Sequence, residues 1–158
     1  MKTIQRDIDA SLHALGLTLP NPPKASGNYR LINHVGNTLY LSGVTCKWDG
    51  QLHYQGHVGS NVTIEEAYKA AQITTLNHLA IIKAYLGGFE RIHKIIKVTG
   101  YVSCDEHFSQ IPTVINGSSD LLLQLFGDDG QHARCAVGVQ SLPGNAAVET
   151  EMVVLLKT

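Results

Sequence analysis

Thr63-Ile64-Glu65-Glu66 opens the most regular part of the chain, residues 63–102, TIEEAYKAAQITTLNHLAIIKAYLGGFERIHKIIKVTGYV. Thr63 and Glu66 stand at capping-box spacing, where a hydroxyl and a carboxylate each satisfy an orphan amide at a helix start. The spacing predicts a helix to Leu86, stopped by Gly87-Gly88. Its apolar set (Ile64, Ala67, Ala71, Ile73, Leu76, Leu79, Ala80, Ile82) is wider than one stripe, which favours packing on a sheet. Ile92 to Val102 follows as a strand rich in β-branched residues.

Working outward, Phe108 to Phe126 reads as a second long helix, with Pro112 in its first turn and Gly127 at its end. Asp105-Glu106-His107 precedes it, where acids suit the positive end of a helix dipole. Ala133 to Gln140 and Ala147 to Leu156 read as a terminal hairpin about Leu142-Pro143-Gly144-Asn145. Upstream, two strands between Tyr29 and Gly43 flank a Gly36-Asn37 turn, and Asp49-Gly50 marks another turn before a short strand. Ile4, Ile8, Leu12 and Leu15 predict a first helix over 4–15, with Thr3 as its cap and Gly16 closing it. Residues 1–24 are therefore an N-terminal helix with a Pro-rich connector, and 25–158 one domain. Strand pairs interrupted by two long helices predict an α+β fold, a mixed sheet with both helices on one face.

The 158 residues are 44% hydrophobic, with a net charge of -1 and a pI near 6.7. One domain of this size buries about 70% of its unfolded surface. The charge balance argues against a nucleic-acid backbone or an anionic membrane as partner. No apolar run approaches the ~20 residues of a spanning helix, and the charged start does not resemble a secretory peptide, so a cytoplasmic protein is expected. Cys46, Cys104 and Cys135 lack metal or disulfide spacing, and Cys104 and Cys135 are expected as inert, buried thiols. His53 and His57 lie four apart but without helical support, and read as loop histidines rather than metal ligands. Trp48 and Tyr54 are expected to cover a sheet end. Lys83, Arg91, His93, Lys94 and Lys97 are expected as a solvated face rather than an RNA track.

In the terminal strands, alternation sets Arg134, Ala136 and Gly138 on one face, with Glu149 and Glu151 interleaved among apolar residues. If the two strands pair, Glu149 lies opposite Ala136 or Gly138. Arg134 is then roughly 7 to 14 Å away on the same face. This arrangement fits either a small organic acid between the charges or an ordinary surface ion pair.

Ala133-Arg134-Cys135-Ala136-Val137-Gly138-Val139, Leu142-Pro143 and Ala147-Val148-Glu149-Thr150-Glu151 resemble the closing signature of the Rid/YjgF family, formerly labelled L-PSP endoribonucleases. Tyr29, Gly36-Asn37, Ser42-Gly43, Gly87-Gly88 and Asn116 extend the resemblance over about residues 25–156. It implies a chorismate-mutase-like fold, a homotrimer, and a site in each cleft between subunits. The implied activity is cofactor-independent hydrolysis of reactive 2-imino or 2-enamino acids to 2-keto acids and ammonia, with no metal.

By the same resemblance Arg134 clamps the substrate carboxylate, Glu149 handles the attacking water, and the Ala136 carbonyl helps hold that water. Tyr29, Ser42, Gly43 and Asn116 complete the pocket. The chain departs from the family pattern before Tyr29, at His132, Cys135 and Gly138, and in its added N-terminal helix. These departures keep a second reading open, a non-catalytic or regulatory module that binds a small carboxylate.

Overall fold

The computed structural model describes residues 6–158, so Thr3 and Ile4, read as the start of the first helix, lie outside the described residues. Helix α1 spans Ile8–Ala14, and its cap is Asp7, whose side chain accepts from the Ala10 amide at 3.0 Å. Gly16 follows with φ +69, a conformation that costs glycine little and suits a helix stop.

Strands β1 (Ile32–Val35) and β2 (Thr38–Thr45) pair across the two-residue Gly36-Asn37 turn. β3 (Lys47–Trp48) and β4 (Gln51–Leu52) form a small hairpin about Asp49-Gly50, both with positive φ. Helix α2 spans Ile64–Leu86 and carries the full capping box between Thr63 and Glu66. β5 (Ile92–Ser103), helix α3 (Ile111–Phe126), β6 (Ala133–Val139) and β7 (Val148–Leu156) complete the chain. α3 starts later than its sequence pattern indicates, with Gln110 at its cap. Asp105 instead accepts from the His107 amide.

The five-stranded sheet has the order β1-β2-β7-β5-β6, and the predicted terminal hairpin does not form. β5 lies between the last two strands, antiparallel to β7 and parallel to β6. The Leu142–Asn145 segment is not a hairpin turn because Pro143–Asn145 makes a short 3-10 turn and the chain then engages another element. Ala146 bridges to Gln55 and the Ala147 amide donates to the Tyr54 carbonyl. β5, α3 and β6 form a strand-helix-strand crossover, whose usual product is a parallel pair.

α2 and α3 cover one face of this sheet. The main core joins both helices to β1, β2, β5 and β7, and includes Ile8 and Leu12 of α1. Trp48 packs against this core and Tyr54 against a second cluster that includes Ala67, Val102 and Val148. Only Cys46 of the three cysteines is buried; Cys104 is half-buried and Cys135 exposed, because Cys135 alternates onto the uncovered face of an edge strand. Within the basic cluster read as a solvated face, Lys83 pairs with Asp9 at 2.7 Å. No described helix is long and apolar enough to cross a membrane.

α2 and α3 approach closely where α3 has Gly117, since a Cβ there would strike the Tyr68 carbonyl. Gly117→Ala is therefore expected to lower stability by about 1 to 3 kcal/mol through overpacking. Urea denaturation of the purified variant against wild type measures this loss.

Candidate functional site

The sheet register sets where each candidate residue can act. Arg134 aligns with Val98 on β5, whereas Glu149 aligns with Tyr101 from the other side. The two α-carbons are thus two strands and three residues apart, ~14 Å from standard strand spacings. Their side chains also leave opposite faces. Arg134 turns toward α3, while Glu149 alternates with the buried, helix-facing Val148 and Thr150 and lies on the uncovered face. The shared face expected from a terminal hairpin is therefore absent within one chain, because β5 intervenes.

Around Arg134 the structure brings together two of the predicted residues and adds two. Its Nη1 donates to Asn116 Oδ1 at 2.7 Å and to Ser119 Oγ at 3.2 Å. Nη2 reaches the Pro112 carbonyl at 3.5 Å. Ser119 Oγ also meets His132 Nε2 at 2.9 Å, and His132 Nδ1 meets the Gly130 carbonyl at 2.6 Å. A carbonyl only accepts, so Nδ1 carries the proton, Nε2 accepts from Ser119, and the hydroxyl keeps a lone pair for Arg134. Burial is the main cause of the lowered His132 pKa, and Arg134 adds to it. The lowered pKa favours the neutral imidazole, to which the Ser119 hydroxyl donates. Ala136 lies two residues along β6 on the same side, and β6 is the edge strand of the sheet among the described residues.

The second group surrounds Glu149. A cleft of about 160 Å³ is lined by Glu149, Gly43 and Tyr29, together with Lys24, Lys47 and Asn77. Gly43 sits in the irregularity of β2 between Leu41 and Val44. A Cβ there would come within 2.5 Å of Glu149 Oε1, so its absence makes room for the carboxylate. Ser42 turns its hydroxyl to the Arg30 carbonyl at 2.6 Å and does not line this cleft. With its amide donating to the Leu31 carbonyl, it ties β2 beside Gly43 to the segment leading into β1.

Beneath the sheet, Thr150 holds the backbone between Glu149 and Glu151. Thr150 Oγ1 donates to Thr74 Oγ1 at 2.8 Å, and His78 Nε2 donates to the Thr150 carbonyl at 2.9 Å. His78 is fully buried and its pKa falls to about 4, principally from desolvation, so it stays neutral. Glu149 is the opposite case. Burial first, and the Glu151 charge second, raise its carboxyl above the ordinary value. Tyr101 is raised likewise, and its hydroxyl donates to Glu151 Oε1 at 3.3 Å.

Sequence reading missed Ser119, His132, Asn77 and the two lysines as site neighbours. Ser119 lies three residues beyond Asn116, one helical turn along the same face, a spacing that could have indicated it. The lysines lie on segments whose approach to Glu149 no local pattern records. Among the described residues, no group of three His, Cys, Asp or Glu side chains is placed to hold a metal. His57 instead contacts the Gln140 carbonyl through Nε2 at 2.7 Å.

A raised carboxyl pKa destabilises the fold above the ordinary range, because the unfolded chain loses the proton first. The associated stability is present below the usual value near 4.5 and is lost as pH rises through the folded pKa. Glu149→Gln is thus expected to melt higher than wild type at pH 7, with the difference closing at pH 4. Thermal denaturation at the two pH values reads the sign.

The family described as "YjgF/chorismate_mutase-like, putative endoribonuclease" matches residues 9–155, a span that begins within α1. Protein TCP17 of Trypanosoma cruzi is 36% identical over 150 residues, covering 94% of each chain. A 2-iminobutanoate/2-iminopropanoate deaminase of Dermatophagoides farinae is 27% identical over 146 residues, covering 89% of this chain and 95% of that protein. The crystal structure of a "putative endoribonuclease" from Shewanella oneidensis superimposes with a TM-score of 0.92 at 33% identity, covering 95% of this chain and 99% of that one. With its mixed sheet, its two covering helices and a match along nearly its whole length, the chain belongs to the YjgF/chorismate-mutase-like family.

Proposed function

We propose that the protein is a homotrimeric, cofactor-independent hydrolase that converts small 2-imino or 2-enamino acids to 2-keto acids and ammonia. The observation that carries this reading is the division of the site residues into two groups on opposite faces. Arg134, Asn116 and Ala136 form one; Glu149, Gly43 and Tyr29 form the other. Neither is a complete site. Two copies of the chain, one offering each group to a shared cleft, make one site. The similarity to an iminobutanoate/iminopropanoate deaminase supports the substrate class.

In this reading Arg134 binds the substrate carboxylate. Asn116 and Ser119 hold the guanidinium from one side, which leaves its remaining N–H groups to form charge-assisted bonds with the ligand. Glu149 takes a proton from water as the water oxygen bonds to the C=N carbon. The tetrahedral carbon then collapses: its C–N bond breaks, the nitrogen leaves as ammonia with the protons it has gained, and the 2-keto acid remains. Water is the only co-reactant and no electrons are transferred. Because an iminium carbon is already electrophilic, most of the work is positioning. A carboxylate whose pKa is raised is a better base than an exposed one. Tyr29 closes the open end of the cleft, and the Ala136 carbonyl accepts from the attacking water.

Sedimentation is expected to give a species about three times the 17.1 kDa chain. With 2-iminopropanoate generated in situ by an amino-acid oxidase, the protein is expected to speed ketoacid release. Arg134→Ala should lower kcat/KM by about a hundredfold, the order of a lost pair of charged hydrogen bonds. Glu149→Gln should cost about a hundredfold or more in kcat. Carboxylate binding without turnover by wild type would replace this reading with the regulatory, ligand-binding one. A stable monomer would remove the shared site altogether.

A further inference from the structure

The Glu149 cleft is more cationic than a small alkyl imino acid requires. Arg134 already supplies the partner for one carboxylate, and a short alkyl tail needs only apolar wall. Yet Lys24, Lys47 and Asn77 line the same cleft as Glu149. Among the described residues, the only Lys, Arg or His nitrogens within 4.0 Å of a carboxylate are those of Lys83 at Asp9 and His107 at Glu106. Neither Lys24 nor Lys47 therefore has a carboxylate within 4 Å. Glu149 itself is beyond that distance.

Both lysines hang from braced backbone. The buried Asn77 donates through Nδ2 to the Lys47 carbonyl at 2.6 Å and to the Ile73 carbonyl at 3.2 Å, fixing the β3 start against α2. Lys24 follows Pro22-Pro23, whose rings restrict the connector. That connector is tied at Asn21, whose amide donates to Asp49 Oδ1 at 2.8 Å. The Asp49-Gly50 turn thus joins the segment carrying Lys24 to the hairpin carrying Lys47. Two lysines with no carboxylate partner thus line one small cleft from two segments that brace each other. A lysine ammonium is a point charge on a long flexible stem, suited to an anion at the end of a chain rather than to a carboxylate fixed beside the reacting carbon.

We propose that the preferred ligand carries a second carboxylate, bound by Lys24 and Lys47 at the end of the cleft away from Arg134. The substrate class is then the 2-imino acids of acidic amino acids, and the products are 2-oxo dicarboxylates. This inference rests on the shared site proposed above, with Arg134 of one copy facing the lysine-bearing cleft of another. The reaction that supplies such a substrate must oxidise the Cα–N bond of an acidic amino acid, or eliminate a β-substituent from one.

The test is titration calorimetry of the full-length protein with 2-oxoglutarate and 2-oxobutanoate, which share the 2-oxo acid head and differ in the distal carboxylate. Wild type is expected to bind 2-oxoglutarate about tenfold or more tightly, the order of one charge-assisted contact. The double variant Lys24→Met, Lys47→Met is expected to bring the ratio of the two affinities to within about threefold of one, by loss of the same contact. Lys24→Gln, Lys47→Gln repeats the measurement with polar stems. Equal affinities in wild type, or an unchanged ratio in both double variants, would overturn the second-carboxylate assignment. In that outcome, loss of both ligands in Arg134→Ala would leave the shared site standing. Binding of neither ligand by wild type would overturn the site together with the inference.

Discussion

The proposed site depends on β5 lying between β6 and β7. Its backbone pairs with one strand in parallel and with the other antiparallel, so it makes a rigid spacer two strand intervals wide. Arg134 is thereby set on the helix-covered side and Glu149 on the bare side. A guanidinium and a carboxylate on neighbouring strands would neutralise each other as an ordinary cross-strand pair. Separated by β5, both remain available to a third molecule.

The separation has an energetic side. Arg134 is held by Asn116 and Ser119, and Ser119 is in turn held by His132, whose Nδ1 proton goes to the Gly130 carbonyl. Glu149 has no such compensation. It is partly buried beside Glu151 with no cation within 4 Å among the described residues, and its raised pKa expresses that unfavourable setting. The Thr150 bonds to Thr74 and His78 keep the strand from relaxing away from it. A charge held where it is costly, on a backbone pinned from below, is the arrangement expected of a functional group rather than a stabilising one.

What could be read from the residues was local. The Thr63–Glu66 capping box, the Gly87 stop and the Gly36-Asn37 turn each depend on groups within a few positions, and all three are in the structure. Strand adjacency is not local, and there the hairpin reading failed. Two apolar strands about a Pro-Gly-Asn turn resemble a hairpin, but the same chain order also contains a strand-helix-strand unit from Ile92 to Val139, whose default is a parallel pair. Giving that unit precedence would have put β5 beside β6 and left β7 another partner. Arg134 and Asn116 were named from family resemblance, and the structure joins them directly. Ser119 was not named and His132 only as a departure from the family pattern, because a hydrogen-bond relay through a helix and a loop leaves no periodic trace. Among the described residues the first helix is capped by Asp7.

The uncovered sheet face and the free edge of β6 are liabilities for a lone chain. Tyr40 and Val137 are exposed, and an edge strand presents unpaired backbone groups to any passing strand. Both features adjoin the halves of the site, Val137 one residue from Ala136 and Tyr40 three residues from Gly43. In the proposed trimer these surfaces face other copies, so the contacts that cover them also bring Arg134 toward Glu149. Assembly and site formation would then be one event. A substitution that weakens the subunit contact would reduce activity and expose apolar surface together, even if it touched neither charged residue.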